Sequence, residues 1–356
     1  KTGGHLFPGI AVAQAVQKMT PHADILFVGT RAPFETSTLK SYGFAHRAIW
    51  SKPVKGGSLL HKISALGIVS VSLVQSIGIM IGMKPDFVLG VGGFSSFSVV
   101  LAAWLMNIPT AVQEQNTIPG MTNRLLARFT RTIFTAFKQT QDFSENPKTK
   151  FVGNPVRRPE PTDDKLCRTC KDLDPDRFTL LITGGSQGAH SINHAVIDAL
   201  ARMENLEDIN IIHQTGVSDE SFARNQYRQL GIQADARAFF TRMPQIMASA
   251  DLIIARAGAG TLAELAINGK PALLVPFPHA ADDHQTVNAE AFARQGAAVV
   301  IKDNQLSGQT VKDLVEDLFN DRQKLTEMAS AMKQLAMPDA DRAIARHILQ
   351  TKGDGK

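Results

Sequence analysis

The stretch Arg177–Leu200, RFTLLITGGSQGAHSINHAVIDAL, decides the fold. An apolar strand runs into a glycine-rich turn at Gly184, Gly185 and Gly188, and the turn opens a helix with apolar positions at helical spacing. In a parallel sheet this unit carries the turn's N–H groups and the positive end of the helix to the strand's C-terminal edge, where open α/β sheets take up anions. The chain opens on an echo of it. Thr2-Gly3-Gly4 matches Thr183-Gly184-Gly185, and His5 follows the first turn much as His190 follows the second. No strand precedes that first turn, so the first half reads as lacking its leading strand ahead of Lys1.

Further units lie between and beyond these two. DFVLGVGGFSSFSVVLAAWLMNI, from Asp86, repeats strand, glycine turn (Gly90, Gly92, Gly93) and helix, and ADILFVGT, PTAVQEQN, TRTIFTAF, INIIHQTG, ADLIIARAG and KPALLVPFP read as strands. Such alternation predicts parallel sheets with helices on both faces. At 356 residues the chain exceeds one hydrophobic core, and the proline-rich, charged FVGNPVRRPEPTDD is the best linker. The expected fold class is therefore α/β, two Rossmann-like domains facing across a cleft. Their expected bounds are residues 1–154 and 155–337, with a C-terminal helix in 338–356 packing back on the first domain.

Composition narrows the function classes. Hydrophobic residues at 44% and charged residues at 20% describe an ordinary folded chain, and a net charge of +5 is too diffuse for a dedicated nucleic-acid binder. Cys167 and Cys170 form a single CxxC, short of a four-ligand zinc site. No secretory signal is visible, which makes the cytosol the default compartment. Leu66–Met83 runs without a charge between Lys62 and Lys84, at the lower limit for a membrane span, but Ser70, Ser72, Gln75 and Ser76 dilute it. It reads as a buried helix or as one lying on a membrane surface.

Two motifs in the second half point to a nucleotide. In TGGSQGAH the N–H groups near Ser186 and Gln187 face outward, and the Ser186 hydroxyl can reach a phosphate oxygen. A nicotinamide dinucleotide would need an acid at the end of the second strand, and IHQTG has none; the Walker pattern fails as well. In ARAGAGTLAEL, Gly258 and Gly260 open a helix carrying Thr261 and Glu264. This is either a capping box or a helix end facing a diphosphate with Glu264 on a ribose diol.

TGGH, GVGGFSS, EQN, VGNPVR, GGSQGA, RAGAGTLAEL and DDHQTVNA occur in the order and spacing of one family. Over nearly its whole length the chain resembles the MurG family, which transfers GlcNAc from UDP-GlcNAc to undecaprenyl-pyrophosphoryl-MurNAc-pentapeptide. The resemblance implies the two-domain glycosyltransferase B fold, with the donor on the second domain and the lipid acceptor on the first. It also implies inversion at the sugar, no required cofactor, and a peripheral protein on the cytoplasmic side of the cell membrane. By the same resemblance Thr2, Gly3 and Gly4 line the cleft, Asn116 and Gln285 bind the GlcNAc hydroxyls, and Arg157 helps hold the nucleotide. Ser186 touches the diphosphate and the backbone near Phe240 the uracil. Ala259, Gly260, Thr261, Leu262, Ala263 and Glu264 serve the sugar, phosphate and ribose. Two positions depart from the family pattern: Lys1 replaces Gly, and Gln113 replaces the usual His of HEQN.

The transfer needs a base for the attacking C4 hydroxyl and positive potential at the leaving diphosphate. His5 is the first candidate base, because imidazole titrates near neutral pH, and Glu114 the second. Asp174-x-Asp176 and Asp339-x-Asp341 read as turn and cap residues, not as a metal site, so helix N-termini, Arg157 and Arg256 are expected to meet the leaving charge. Arg124, Arg128 and Arg131 read as lying on the helix after EQN, where Arg124 and Arg128 are spaced to share a face that either meets a lipid diphosphate or is simply a solvated basic face. A UDP-GlcNAc 2-epimerase and a non-catalytic nucleotide-sugar-binding protein are the rival readings.

Overall fold

The computed structural model describes residues 3–51, 59–156, 173–185, 187–204 and 206–351, with residues 59–66 described by their backbone alone. Thr2, Arg157, Cys167, Cys170 and Ser186 lie outside the described residues. The described chain divides into two compact units, residues 3–156 with 338–351, and residues 173–337.

The second unit holds one six-stranded sheet: β7 (Phe178–Thr183), β8 (Ile209–Gln214), β9 (Ala234–Arg237), β10 (Leu252–Ala255), β11 (Ala272–Leu274) and β12 (Ala298–Val300). Their order is β9-β8-β7-β10-β11-β12, every pair parallel. It is the doubly wound order, with its switch point between β7 and β10. β7 and β10 are buried at every position because helices cover both faces. Phe178, Leu180 and Ile182 enter one core with Leu252 and Ile254. Leu181 and Ile253 alternate with them and are also fully buried, the unbroken apolar pattern of a central parallel strand. Each such Leu or Ile contributes about 1.5–3 kcal/mol by leaving water.

The first unit holds a parallel pair, β1 (Leu26–Gly29) with β2 (Ala45–Ala48). A second parallel sheet runs β3 (Val88–Gly90), β4 (Thr110–Glu114), β5 (Thr132–Thr135) and β6 (Thr149–Phe151), in chain order. The last helix, Ala340–Thr351, returns to this unit: Ile344 and Ala345 pack with Val12, Ala15, Val16, Ala111 and Phe134. His347 fastens it, with Nε2 3.0 Å from Thr132 Oγ1, Nδ1 3.2 Å from Lys150 Nζ, and its ring edge-on to Phe134.

The uncharged segment belongs to one longer helix, Leu59–Met83, and among the described residues no helix is long and apolar enough to cross a membrane. Ser72, Ser76, Ile79 and Met80 are buried, and the small serines suit its packing on the helix Phe94–Leu105. Val71, Val74 and Ile81 form an exposed apolar stripe at helical spacing, Val74 being 69% exposed.

Candidate functional site

In the second unit the two glycine motifs become neighbours through strand pairing. Thr183 ends β7 opposite Ala255, the end of β10, so the turn at Gly184–Gly188 and the helix Ala259–Asn268 leave the same sheet edge at the switch point. The turn is pressed against the end of β8. A Cβ on Gly188 would lie 2.1 Å from the Thr215 carbonyl oxygen, and Gly188 has φ +76°, so no other residue fits there.

A side chain that the sequence reading missed joins this turn to the loop after β9. Gln214, buried at the end of β8, donates from Nε2 to the Gly185 carbonyl (3.0 Å) and accepts the Phe240 N–H at Oε1 (3.0 Å). The Phe240 N–H is thus committed, and the backbone group this residue can offer a pyrimidine is its carbonyl. The only signal in the sequence is a Gln closing an apolar strand.

The capping box does not form. The helix begins at Ala259 with Gly258 as its N-cap and no side-chain cap, so Thr261 lies in the first turn and Glu264 in the second. The N–H groups of Ala259, Gly260 and Thr261 precede the helical ladder, as phosphate binding requires. Thr261, Ala263 and Glu264 are partly exposed, but Leu262 is fully buried and can serve a ligand through its backbone alone. Gln285 accepts the Phe277 N–H at Oε1 (3.0 Å), which turns its Nε2 donor away from that loop. Just before it, Asp282 and Asp283 both hold positive φ, 53° and 51°.

Arg256 is corrected. Its guanidinium is 2.7 Å from Asp303 and donates to the carbonyls of Val275 (3.2 Å) and Pro276 (3.0 Å) and to Ser191 Oγ (2.9 Å). At 13% side-chain exposure it holds the loop after β11 in place and is not aimed at a leaving group. Arg128 is corrected as well. The helix Met121–Leu126 ends before it, so it shares no helix face with Arg124, which pairs with Asp142 at 3.4 Å.

In the first unit the loops after β3 and β4 are adjacent because Gly90 pairs with Val112. Gly3 accepts the N–H groups of Leu6 and Phe7 (both 3.1 Å) and starts the first helix, while Gly4 is exposed. His5 stands against both loops: its Nδ1 lies 3.0 Å from Gln115 Oε1, and its ring lies on Gly92. Gly92 therefore seats an imidazole, a role not visible in GVGG as a motif.

Glu114 is corrected as a base. Its carboxylate is 1% exposed and receives four N–H donors: Asn116 N (3.0 Å) and Nδ2 (3.2 Å) on Oε1, and Gly120 N (3.1 Å) and Asn123 Nδ2 (2.8 Å) on Oε2. Four donors fill the lone-pair sites of a carboxylate. It clamps residues 115–123 and sets the orientation of Asn116.

The second unit also buries a polar chain behind the turn. His213 lies between Tyr227 Oη (2.7 Å, Nδ1) and Asn193 Oδ1 (2.9 Å, Nε2), and Asn193 Nδ2 donates to Asp219 (2.7 Å). Burial pulls His213 down to about 3, against a weaker upward pull from Asp219. Among the described residues no group of three or more His, Cys, Asp or Glu is placed to hold a metal ion.

Residues 2–135 match the model of the glycosyltransferase family 28 N-terminal domain, and residues 179–344 that of the family 28 C-terminal domain. The chain is 39% identical over 345 residues to a Myxococcus xanthus (strain DK1622) protein, covering 97% of this chain and 89% of that one. That protein is named UDP-N-acetylglucosamine--N-acetylmuramyl-(pentapeptide) pyrophosphoryl-undecaprenol N-acetylglucosamine transferase. The crystal structure of Acinetobacter baumannii MurG is 30% identical with a TM-score of 0.78, covering 98% of this chain and 97% of that one. A UDP-GlcNAc 2-epimerase from Neisseria meningitidis, bound to UDP-GlcNAc, matches with a TM-score of 0.67 at 15% identity over 98% of each chain, a likeness of fold alone. The fold is the two-domain α/β glycosyltransferase B fold with parallel sheets. With a family 28 domain in each half and this likeness over nearly its whole length, the chain belongs to the MurG family of glycosyltransferases.

Proposed function

We propose that this chain transfers GlcNAc from UDP-GlcNAc to the C4 hydroxyl of the MurNAc in undecaprenyl-pyrophosphoryl-MurNAc-pentapeptide, with inversion at the sugar C1. The observation that carries the proposal is the 39% identity, over 97% of the chain, to a relative named for this transfer. In this reading the second unit holds the donor. The turn at Gly184–Gly188 and the start of the helix Ala259–Asn268 give their N–H groups to the diphosphate, where the leaving charge grows. Glu264 accepts from the ribose diol, Gln285 donates from Nε2 to the sugar, and the Phe240 carbonyl meets the uracil. Ser186 and Arg157 add a hydroxyl and a charge to the phosphates. No cofactor enters the proposal, and nucleic acid is no partner in it.

The first unit supplies the base. His5 removes the proton of the C4 hydroxyl, that oxygen forms a bond to C1, and the C1–phosphate oxygen bond breaks to release UDP. Asn116, held by Glu114, binds a GlcNAc hydroxyl. A positioned general base of this kind is worth roughly 10²–10⁴-fold in rate.

The helix Leu59–Met83 suits a peripheral place on the cytoplasmic membrane surface. Val71, Val74 and Ile81 enter the headgroup boundary in this reading, and the charge of Lys84 at the helix end stays in the anionic layer. Incubation with labelled UDP-GlcNAc and a lipid-linked muramyl acceptor tests the whole scheme. Label in the lipid fraction is the expected result. Release of ManNAc with UDP would establish the epimerase instead, and binding without turnover would establish a carrier.

A further inference from the structure

The geometry points to Gln115 as the positioning residue that fixes which nitrogen of His5 carries the proton, leaving Nε2 as the basic atom. The inference rests on the reading of His5 as the base of the proposed transfer, and it names how the chain prepares that base.

The orientation of the Gln115 amide is settled by backbone. Its nitrogen lies 2.8 Å from the Val91 carbonyl and 3.3 Å from the Gln113 carbonyl, groups that can only accept a hydrogen bond. The reversed amide would aim oxygen at both carbonyls. The end that faces His5 is therefore Oε1, 3.0 Å from Nδ1. An amide oxygen cannot donate, so Nδ1 must carry the hydrogen. In a neutral imidazole the other nitrogen then holds the lone pair, and that nitrogen is Nε2.

The amide is held by a buried chain. Gln113 Oε1 accepts from Gln115 Nε2, and Gln113 Nε2 donates to Asn154 Oδ1 at 3.2 Å. Gln113, Gln115 and Asn154 are 0%, 2% and 5% exposed, so no water competes for these bonds. Gln113 stands where the family pattern has His, and its side chain supplies an acceptor to the one amide that touches the base. Gly92 completes the seat. A Cβ there would lie 2.8 Å from His5 Nδ1 and 3.0 Å from Cε1, so the missing side chain is what lets the ring close on Gln115.

The test is nitrogen NMR of the chain with labelled histidine, at a pH where the imidazoles are neutral. The His5 signals are assigned by their loss in His5→Asn. The proposal expects the Nδ1–H pattern at His5 in the unaltered protein, a measurement that needs no variant. Nε2–H at His5, or an equal mixture, would overturn it. In Gln115→Met the Nδ1–H pattern should weaken, and kcat should fall about 10- to 100-fold, part of what a positioned base contributes. KM for UDP-GlcNAc should stay where it was. An unchanged tautomer in Gln115→Met would also overturn the proposal. The underlying reading fails separately: if His5→Ala leaves kcat intact, His5 is not the base, whatever its tautomer.

Discussion

At the scale of single residues, what decides the site is what each polar atom already holds. Gly92 has φ +97° and no room for a Cβ beneath His5. Gly92→Ala therefore adds about 1–3 kcal/mol of backbone strain and displaces the imidazole. Steady-state kinetics should show kcat lowered by an order of magnitude or more with KM for UDP-GlcNAc little changed; normal turnover in the folded variant would remove His5 from its assigned seat. Gln214 makes the opposite prediction. Gln214→Leu leaves the Gly185 carbonyl and the Phe240 N–H without their partner, each costing about 1–3 kcal/mol if it stays buried. The loop and the turn then part, so KM for UDP-GlcNAc should rise about tenfold or more while kcat at saturation changes less. Equal KM values for the two proteins would show that the bridge has no part in donor binding.

At the scale of elements, two helices carry consequences. The stripe Val71, Val74 and Ile81 is exposed although apolar, and burying one such side chain in lipid contributes about 1.5–3 kcal/mol. Val74→Glu together with Ile81→Glu should lower co-sedimentation with anionic vesicles at least tenfold and leave turnover with a soluble acceptor analogue intact; undiminished vesicle binding would remove this helix from the membrane proposal. The helix Ala340–Thr351 is fastened through a neutral histidine. Burial first, and the charge of Lys150 second, hold His347 below its ordinary value. The folded form thus favours the unprotonated ring, and its fastening is complete above the ordinary histidine range and weakens as pH falls through that range. Hydrogen exchange of amides 340–351, corrected for intrinsic rates, should speed up between pH 7 and pH 5 more than that of the β4 amides. His347→Leu, which cannot titrate, should abolish that difference.

At the scale of the whole molecule, acid acts on the second unit through its core. His213 sits in the core of the second unit, held from its ordinary 6.5 down to about 3. The unfolded chain binds a proton that the folded unit refuses, so stability is full above about pH 6.5 and is lost as pH falls from there toward 3. At 1.36 kcal/mol per unit, the loss is about 2 kcal/mol by pH 5. Denaturant unfolding of the second unit should lose about that much between pH 7 and pH 5. His213→Gln should be less stable at pH 7, because Tyr227 and Asn193 lose a partner, yet show a flatter pH dependence. A variant with the parent's slope would place the acid sensitivity elsewhere.

What the sequence determined by itself was the part governed by local periodicity and turn chemistry. The glycine turns, the unbroken apolar strands β7 and β10, the helix after each, and the ordered motifs of the family are short-range patterns, and they carried the α/β fold and the expectation of a nucleotide site in the second half. Even the stripe on Leu59–Met83 is written in its spacing. Only the tertiary structure decided which polar atoms were already occupied. Glu114 and Arg256 have the chemistry of a base and of a phosphate ligand, but the folded loop at Asn116, Gly120 and Asn123 has consumed the first, and Asp303, distant in sequence, the second. Gln115 and Gln214 look like unremarkable strand-end amides until β3, β4 and β8 bring Val91, His5, Gly185 and Phe240 to them. Hydrogen bonds within a few ångströms join residues up to 215 positions apart here, and no pattern along the chain encodes that pairing.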